Sequence, residues 1–216
     1  GRWLTFASTD SAGSTHLWLR DMSKLEPRML AGTENADQPF WSPDSRWIGY
    51  FAEGKLKKVP LDGGTPEVLC DAPDPRGGAW SSRGTIVFAP VATGSLFAVS
   101  QNGGKVTEIV RRDSTGGEMA LRFPSFLPDG EGFLFISLPR RGALNDVHYA
   151  RLGSDARHVV YQSSSAPVYV APGWLLSIEV ARMTAIRFDA RTGRVRGTAQ
   201  TIGVAPPPVS HDGCPV

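Results

Sequence analysis

An all-β chain is predicted: a β-propeller of four-stranded antiparallel blades, with about five blades present and the ring incomplete. Three observations predict it. A strand–turn–strand unit, clearest over Gln38 to Tyr50, recurs in variant form along the whole 216 residues. Its turn positions Gly1, Ser45, Gly84, Gly130 and Gly173 are spaced at roughly 39 to 46 residues, the period of a four-stranded blade. No stretch keeps a helical repeat of apolar residues. They alternate, or come in short runs bounded by Gly, Pro, Asp or Ser.

The first blade, about residues 1–33, opens on Gly1-Arg2-Trp3-Leu4-Thr5-Phe6, which matches Ser45-Arg46-Trp47-Ile48-Gly49-Tyr50 position for position. Gly1 reads as the last residue of a turn, so the chain is expected to start inside a repeat. Strands follow at His16 to Arg20 and Pro27 to Leu30. The second blade, about 34–73, is the most complete, with strands at Phe40-Trp41, Trp47 to Phe51, Lys55 to Pro60 and Pro66 to Leu69. Pro43 pre-sets φ at the second turn position, and Asp44 can bond its own backbone two residues on. Asp62-Gly63-Gly64 supplies the positive φ that a tight hairpin requires.

The third blade, about 74–114, has Ala79-Trp80, the turn Ser81-Ser82-Arg83-Gly84, and strands at Thr85 to Ala89, Leu96 to Ser100 and Val106 to Val110. The fourth, about 115–164, has Pro124 to Phe126, the turn Leu127-Pro128-Asp129-Gly130, and strands at Gly132 to Ser137, Asp146 to Leu152 and His158 to Gln162. The fifth, about 165–205, has Val168 to Val170, Trp174 to Glu179, Met183 to Phe188 and Val195 to Ile202. The tail 206–216 begins with Pro206 to Pro208 and cannot be an interior strand. Its Ser210-His211-Asp212-Gly213 reads as the start of a further blade.

A blade cannot bury both faces of its sheet alone, so neighbouring sheets must make the core between them. Trp41, Trp47, Trp80, Phe88, Phe126, Phe133, Phe135, Tyr169 and Trp174 are expected there. Gly and Pro are enriched, at 24 and 17 residues, yet the 41% hydrophobic content suffices for a packed interior, which excludes a disordered chain. A net charge of +2 is too small to imply nucleic acid or an acidic membrane surface. From Arg140 onward, nine Arg face five acidic residues, which reads as scattered solvated arginines. Two cysteines, Cys70 and Cys214, argue against a disulfide framework, and Cys70 reads as a small buried hydrophobe. No apolar run approaches the roughly 20 residues needed to span a bilayer as a helix.

At this point the residues carry a likeness. Trp41-Ser42-Pro43-Asp44-Ser45 with Ile48-Gly49-Tyr50, followed by Leu61-Asp62-Gly63-Gly64, resembles the TolB-like, WD-like propeller repeat of bacteria. The likeness covers nearly the entire chain. A narrower series comprises Leu17-Trp18-Leu19-Arg20-Asp21, Pro39 to Ser45, Leu69-Cys70-Asp71-Ala72-Pro73 and Phe123 to Gly130. It resembles the propeller region C-terminal to the catalytic domain in bacterial eukaryotic-type serine/threonine protein kinases. That resemblance implies a sensing or protein-binding role, extracytoplasmic if the region is attached to a membrane kinase and cytoplasmic otherwise. The chain carries no glycine-rich nucleotide loop, no His-Arg-Asp loop and no Asp-Phe-Gly, so kinase activity would belong to another part of the gene product. Two alternatives stay open. One is the accessory propeller of a prolyl-oligopeptidase-type hydrolase, whose Gly-x-Ser-x-Gly elbow is absent from this chain. The other is a free TolB-like periplasmic scaffold.

No catalytic residue, metal site or cofactor is expected. His16, His148, His158 and His211 lack metal-ligand spacing. Asp62-Gly63-Gly64 and Asn102-Gly103-Gly104 read as hairpin turns; like Gly116-Gly117-Glu118, they lack the Lys-Ser/Thr and helix of a phosphate loop. In a propeller, the segments entering the innermost strands reach the mouth of the central channel. They carry Asp37, Arg76, Glu118 and Arg122, a mixed-charge ring suited to a polar ligand or peptide. A protein or peptide partner is expected, or a small polar ligand, and no nucleic acid. Pro139 to Asp146, with Arg140-Arg141, reads as an exposed hairpin tip.

Overall fold

The computed structural model describes residues 1–10, 12–142, 144–179 and 181–204; the tail 206–216, with His211 and Cys214, lies outside them. Among the described residues all regular structure is strand, arranged as five antiparallel blades in chain order. β1 (Trp3–Thr9), β2 (Thr15–Asp21) and β3 (Arg28–Met29) make a three-stranded sheet. β4 (Asp37–Trp41), β5 (Trp47–Ala52), β6 (Lys55–Pro60) and β7 (Glu67–Asp71) make the second blade. The third comprises β8 (Gly78–Trp80), β9 (Thr85–Phe88), β10 (Leu96–Ser100) and β11 (Thr107–Val110). The fourth comprises β12 (Glu118–Phe126), β13 (Gly132–Pro139), β14 (Asn145–Arg151) and β15 (Arg157–Ser163). The fifth comprises β16 (Val168–Val170), β17 (Trp174–Glu179), β18 (Arg182–Asp189) and β19 (Arg194–Val204).

The repeat turn works through one short polar side chain. Ser42 Oγ donates to Asp44 Oδ1 at 2.6 Å and accepts the Trp47 N–H at 2.8 Å. The fourth blade reaches the same end with Asp129, whose Oδ1 accepts the Glu131 and Gly132 N–H groups at 3.0 and 2.8 Å. The closing residue is left-handed in each: φ is +57° at Ser45, +79° at Gly84, +67° at Gly130 and +136° at Gly173. The 39-to-46-residue spacing in the sequence is therefore the spacing of a backbone conformation.

Four core clusters fill the gaps between consecutive blades. Leu17, Leu19, Ile48 and Tyr50 join the first two, and Phe51, Leu56, Trp80 and Phe88 join the second and third. Val87, Leu121, Phe133 and Phe135 follow, then Leu134, Val147, Leu175 and Phe188. Among the described residues, no cluster joins the fifth blade to the first. Trp41, Trp47, Phe126 and Tyr169 pack against these clusters as predicted. Trp174 does not. Its partner across the sheet is Arg187, whose guanidinium lies 3.9 Å from the indole, while the next residue, Leu175, fills the gap to the fourth blade. Successive strand residues point to opposite faces, so Trp174 lies on the face of the fifth blade turned away from the fourth, where no cluster forms among the described residues.

Three element bounds also differ from expectation. The strand expected at Pro27 to Leu30 is paired only at Arg28–Met29. β4 and β12 begin earlier than their apolar residues suggest, at Asp37 and Glu118, because register shifts between Asp37 and Phe40 and between Arg122 and Ser125 let polar residues join the ladder.

Candidate ligand site at the channel mouth

The innermost strands β4, β8 and β12 run side by side, and the loops entering them meet at one end. The close approach needs glycine. A Cβ on Gly78 would stand 2.6 Å from the Phe40 ring, and one on Gly77 would stand 2.9 Å from the Phe123 Cα. Main-chain bonds tie the loops together: the Arg76 N–H donates to Ala89 O at 3.0 Å, and the Phe123 N–H donates to Arg76 O at 2.9 Å.

This framework holds two guanidinium groups. Arg122 Nε and Nη2 donate to Ala92 O at 3.2 and 2.7 Å, and Arg76 Nη1 donates to Asp74 Oδ1 at 2.5 Å and Pro75 O at 2.7 Å. Burial, and then the Arg76 charge, push the Arg122 guanidinium below its ordinary value, with Asp74 pulling the other way. The main-chain bond from Phe123 to Arg76 is what brings the two like charges into one neighbourhood. Asp37 shares a cleft of about 200 Å³ with Gln38, Glu53, Asp74 and Arg76. Its carboxylate accepts the Gln38 N–H at 2.7 Å, and Gln38 Nε2 bridges to Pro75 O at 3.2 Å.

Of the four residues named from sequence, Asp37, Arg76 and Arg122 belong to this neighbourhood. The Glu118 carboxylate is engaged elsewhere, in a row across the face of the fourth blade turned toward the third. It accepts Ser137 Oγ at 3.0 Å, Arg157 Nη2 at 2.8 Å and the Asp113 N–H at 2.6 Å. His148 Nε2 stands 3.7 Å away, and its ring stacks on Phe135 at 5.2 Å. Burial alone would raise the Glu118 carboxyl, but the Arg157 and Asp113 bonds hold it below its usual range. His148 is pushed down by burial and by Arg157, against the pull of Glu118.

Sequence reasoning missed Asp74, Gln38, Arg157 and the role of His148. Asp74 and Gln38 were reachable, being one or two positions from residues already singled out. Arg157 and Glu118 lie 39 residues apart and meet only because the four strands of one blade align.

The other candidate chemistry is closed. Asp113 Oδ1 accepts the Thr115 and Gly116 N–H groups at 3.1 and 2.7 Å, so its own loop occupies the amides of that glycine turn. Burial pushes the Cys70 thiol up to about 11, which leaves little thiolate at neutral pH. Among the described residues no three His, Cys, Asp or Glu side chains converge as a metal site, and no helix is long and apolar enough to cross a membrane.

No family model and no curated protein matches the chain. Solved structures do match in fold. TolB from Acinetobacter baumannii has a TM-score of 0.71 at 16% identity over 94% of this chain, which spans about half (53%) of the TolB chain. A chain of the nidogen/laminin complex has a TM-score of 0.72 at 13% identity, with 96% of this chain and 80% of that one covered. A prolyl endopeptidase has a TM-score of 0.62 at 14% identity, with 95% and 34% covered. These likenesses establish a propeller fold of the kind found in TolB and in other β-propeller proteins.

Proposed function

We propose that this chain is a non-catalytic propeller module that binds an acidic peptide segment of a protein partner at the channel mouth. One observation carries the reading: the bond from the Phe123 N–H to Arg76 O ties the segments of Arg76 and Arg122 together, and each guanidinium is anchored on a main-chain carbonyl, so that like charges repel beside the single carboxylate of Asp74. A carboxylate placed between them would relieve that repulsion and accept charge-assisted hydrogen bonds from guanidinium nitrogens already held in position. Asp37 and Gln38 beside them would orient the rest of the peptide.

Fluorescence anisotropy with a labelled hexaglutamate peptide at low ionic strength tests this. Arg76→Ala and Arg122→Ala should each weaken binding roughly tenfold or more, and added salt should weaken the unmodified chain. Equal affinity in the double variant would remove the proposal.

The wider context we propose is the C-terminal region of a bacterial eukaryotic-type serine/threonine kinase, supported by the motif series from Leu17 to Gly130. Catalysis would then belong to a separate kinase domain. The similarity in fold to a prolyl endopeptidase favours a second reading, the accessory propeller of a serine hydrolase. The full reading frame separates them: a kinase domain upstream supports the first, a hydrolase domain downstream the second.

A further inference from the structure

The opposite rim of the molecule carries a second, unrelated surface. Asp37 begins β4 at the mouth, and the Ser42–Ser45 turn follows its other end. On the turn side, three clefts of about 650, 610 and 540 Å³ run in sequence across the first, second and third blades. Neighbouring clefts share walls: Trp3 and Arg28 line both the first and the second, and Trp47 lines both the second and the third. The result is a groove made of three adjoining clefts with an indole at each junction.

The groove is not a general consequence of the repeat. Trp3 and Trp47 open β1 and β5, at a position that Thr85, Gly132 and Trp174 hold in the other blades. The first and second blades set their indoles side by side along these clefts, while that of the fifth stands apart against Arg187. Each indole is braced on one side by a cation, Arg2 at 4.9 Å from the Trp3 ring and Lys58 at 4.5 Å from the Trp47 ring. Lys58 is itself held by Glu67 at 3.1 Å, so the Trp47 ring is set before any ligand arrives. Between the indoles the wall is aliphatic, made by Pro60, Leu61 and, at the far end, Leu25, which is 86% exposed. At the third blade Gln101 accepts the Trp80 indole N–H at 3.0 Å through Oε1, which leaves its amide N–H groups for an outside acceptor. The middle cleft sets two guanidinium groups, Arg28 and Arg46, against one carboxylate, Asp62.

We infer that this groove binds an extended, proline-rich peptide carrying an acidic residue at its centre. A polyproline II segment offers flat apolar rings to aromatic walls and leaves its carbonyls free as acceptors, with little conformational entropy to lose. The alternation of indole, aliphatic wall and amide donor suits that periodic ligand. The excess positive charge of the middle cleft selects the acidic residue. An oligosaccharide fits less well, because its hydroxyls would face the carbon surface of Pro60 and Leu61 without partners.

The test uses the whole chain and a fluorescein-labelled proline-rich peptide with one central glutamate, read by anisotropy. Trp47→Ala should weaken binding about tenfold or more, as expected for a central aromatic anchor. Arg46→Glu, an exposed change that leaves the core untouched, should weaken it for the glutamate peptide more than for a glutamine version. Arg76→Ala and Arg122→Ala should leave it unchanged, which separates this surface from the mouth. Circular dichroism on each variant checks that the sheets are intact. Absence of saturable binding would overturn the inference. So would affinity unaffected in both Trp47→Ala and Arg46→Glu, or displacement of the peptide by cellohexaose at equal or lower concentration.

Discussion

Phe40 shows how single residues set the geometry of the mouth. Its ring lies against two glycine positions, Gly49 in its own blade and Gly78 in the next, where an added Cβ would stand 2.4 and 2.6 Å from ring atoms. Gly78→Ala should therefore force the ring or β8 to move and cost roughly 1–3 kcal/mol, measured as a lower urea midpoint. His148 makes the second residue-scale prediction. It is buried against Glu118, Arg157 and Phe135, with Asp146 and His158 also acting on its charge, and burial depresses it below its ordinary value of 6.5. The unfolded chain thus takes up the proton first, and stability is lost as pH falls from about 6.5 through the depressed value. Glu118, also depressed, adds a further loss below its ordinary 4.5. The thermal midpoint should fall between pH 7 and pH 5, and a His148→Gln variant should show a flatter profile in that window.

Among the elements, the recurring hairpin turn was the part most legible in the sequence. Asp44 was expected to bond the backbone two residues on, and its Oδ1 accepts the Arg46 N–H at 3.0 Å, while Ser42 and Asp129 bond turn amides as well. Ser45 stands where the other described blades have Gly84, Gly130 and Gly173, at a φ of +57° that L-residues adopt at a cost of roughly 1–2 kcal/mol. Ser45→Gly should be neutral or stabilising by up to about 1 kcal/mol once the added flexibility of the unfolded glycine is set against that cost. Chemical denaturation of the two proteins side by side reads the difference. What the pattern could not show was face. Trp174 was expected between blades, yet it lies on the face of its sheet opposite Leu175, which is the residue that meets the fourth blade. A bulge hid the same information in β12, where the register shift between Glu118 and Ala120 takes Glu118 and Arg122 out of simple alternation.

Across the whole molecule, the blades share cores in pairs, and the site arises where inner strands from different blades converge. The aromatic positions of the repeat were enough to anticipate that sharing, since a thin sheet with Phe or Trp on both faces has to be covered twice. The mouth was legible only as a list of loops, because Asp74, Arg76 and Arg122 come together through main-chain ties between segments nearly 50 residues apart. Hydrogen exchange of the whole chain, with and without the hexaglutamate peptide, tests this most directly. The account predicts slower exchange on binding at the loops around Arg76 and at the Arg122–Phe123 segment, with the outer strands β7 and β11 unchanged. Protection confined to the outer strands, with the mouth unaffected, would contradict it.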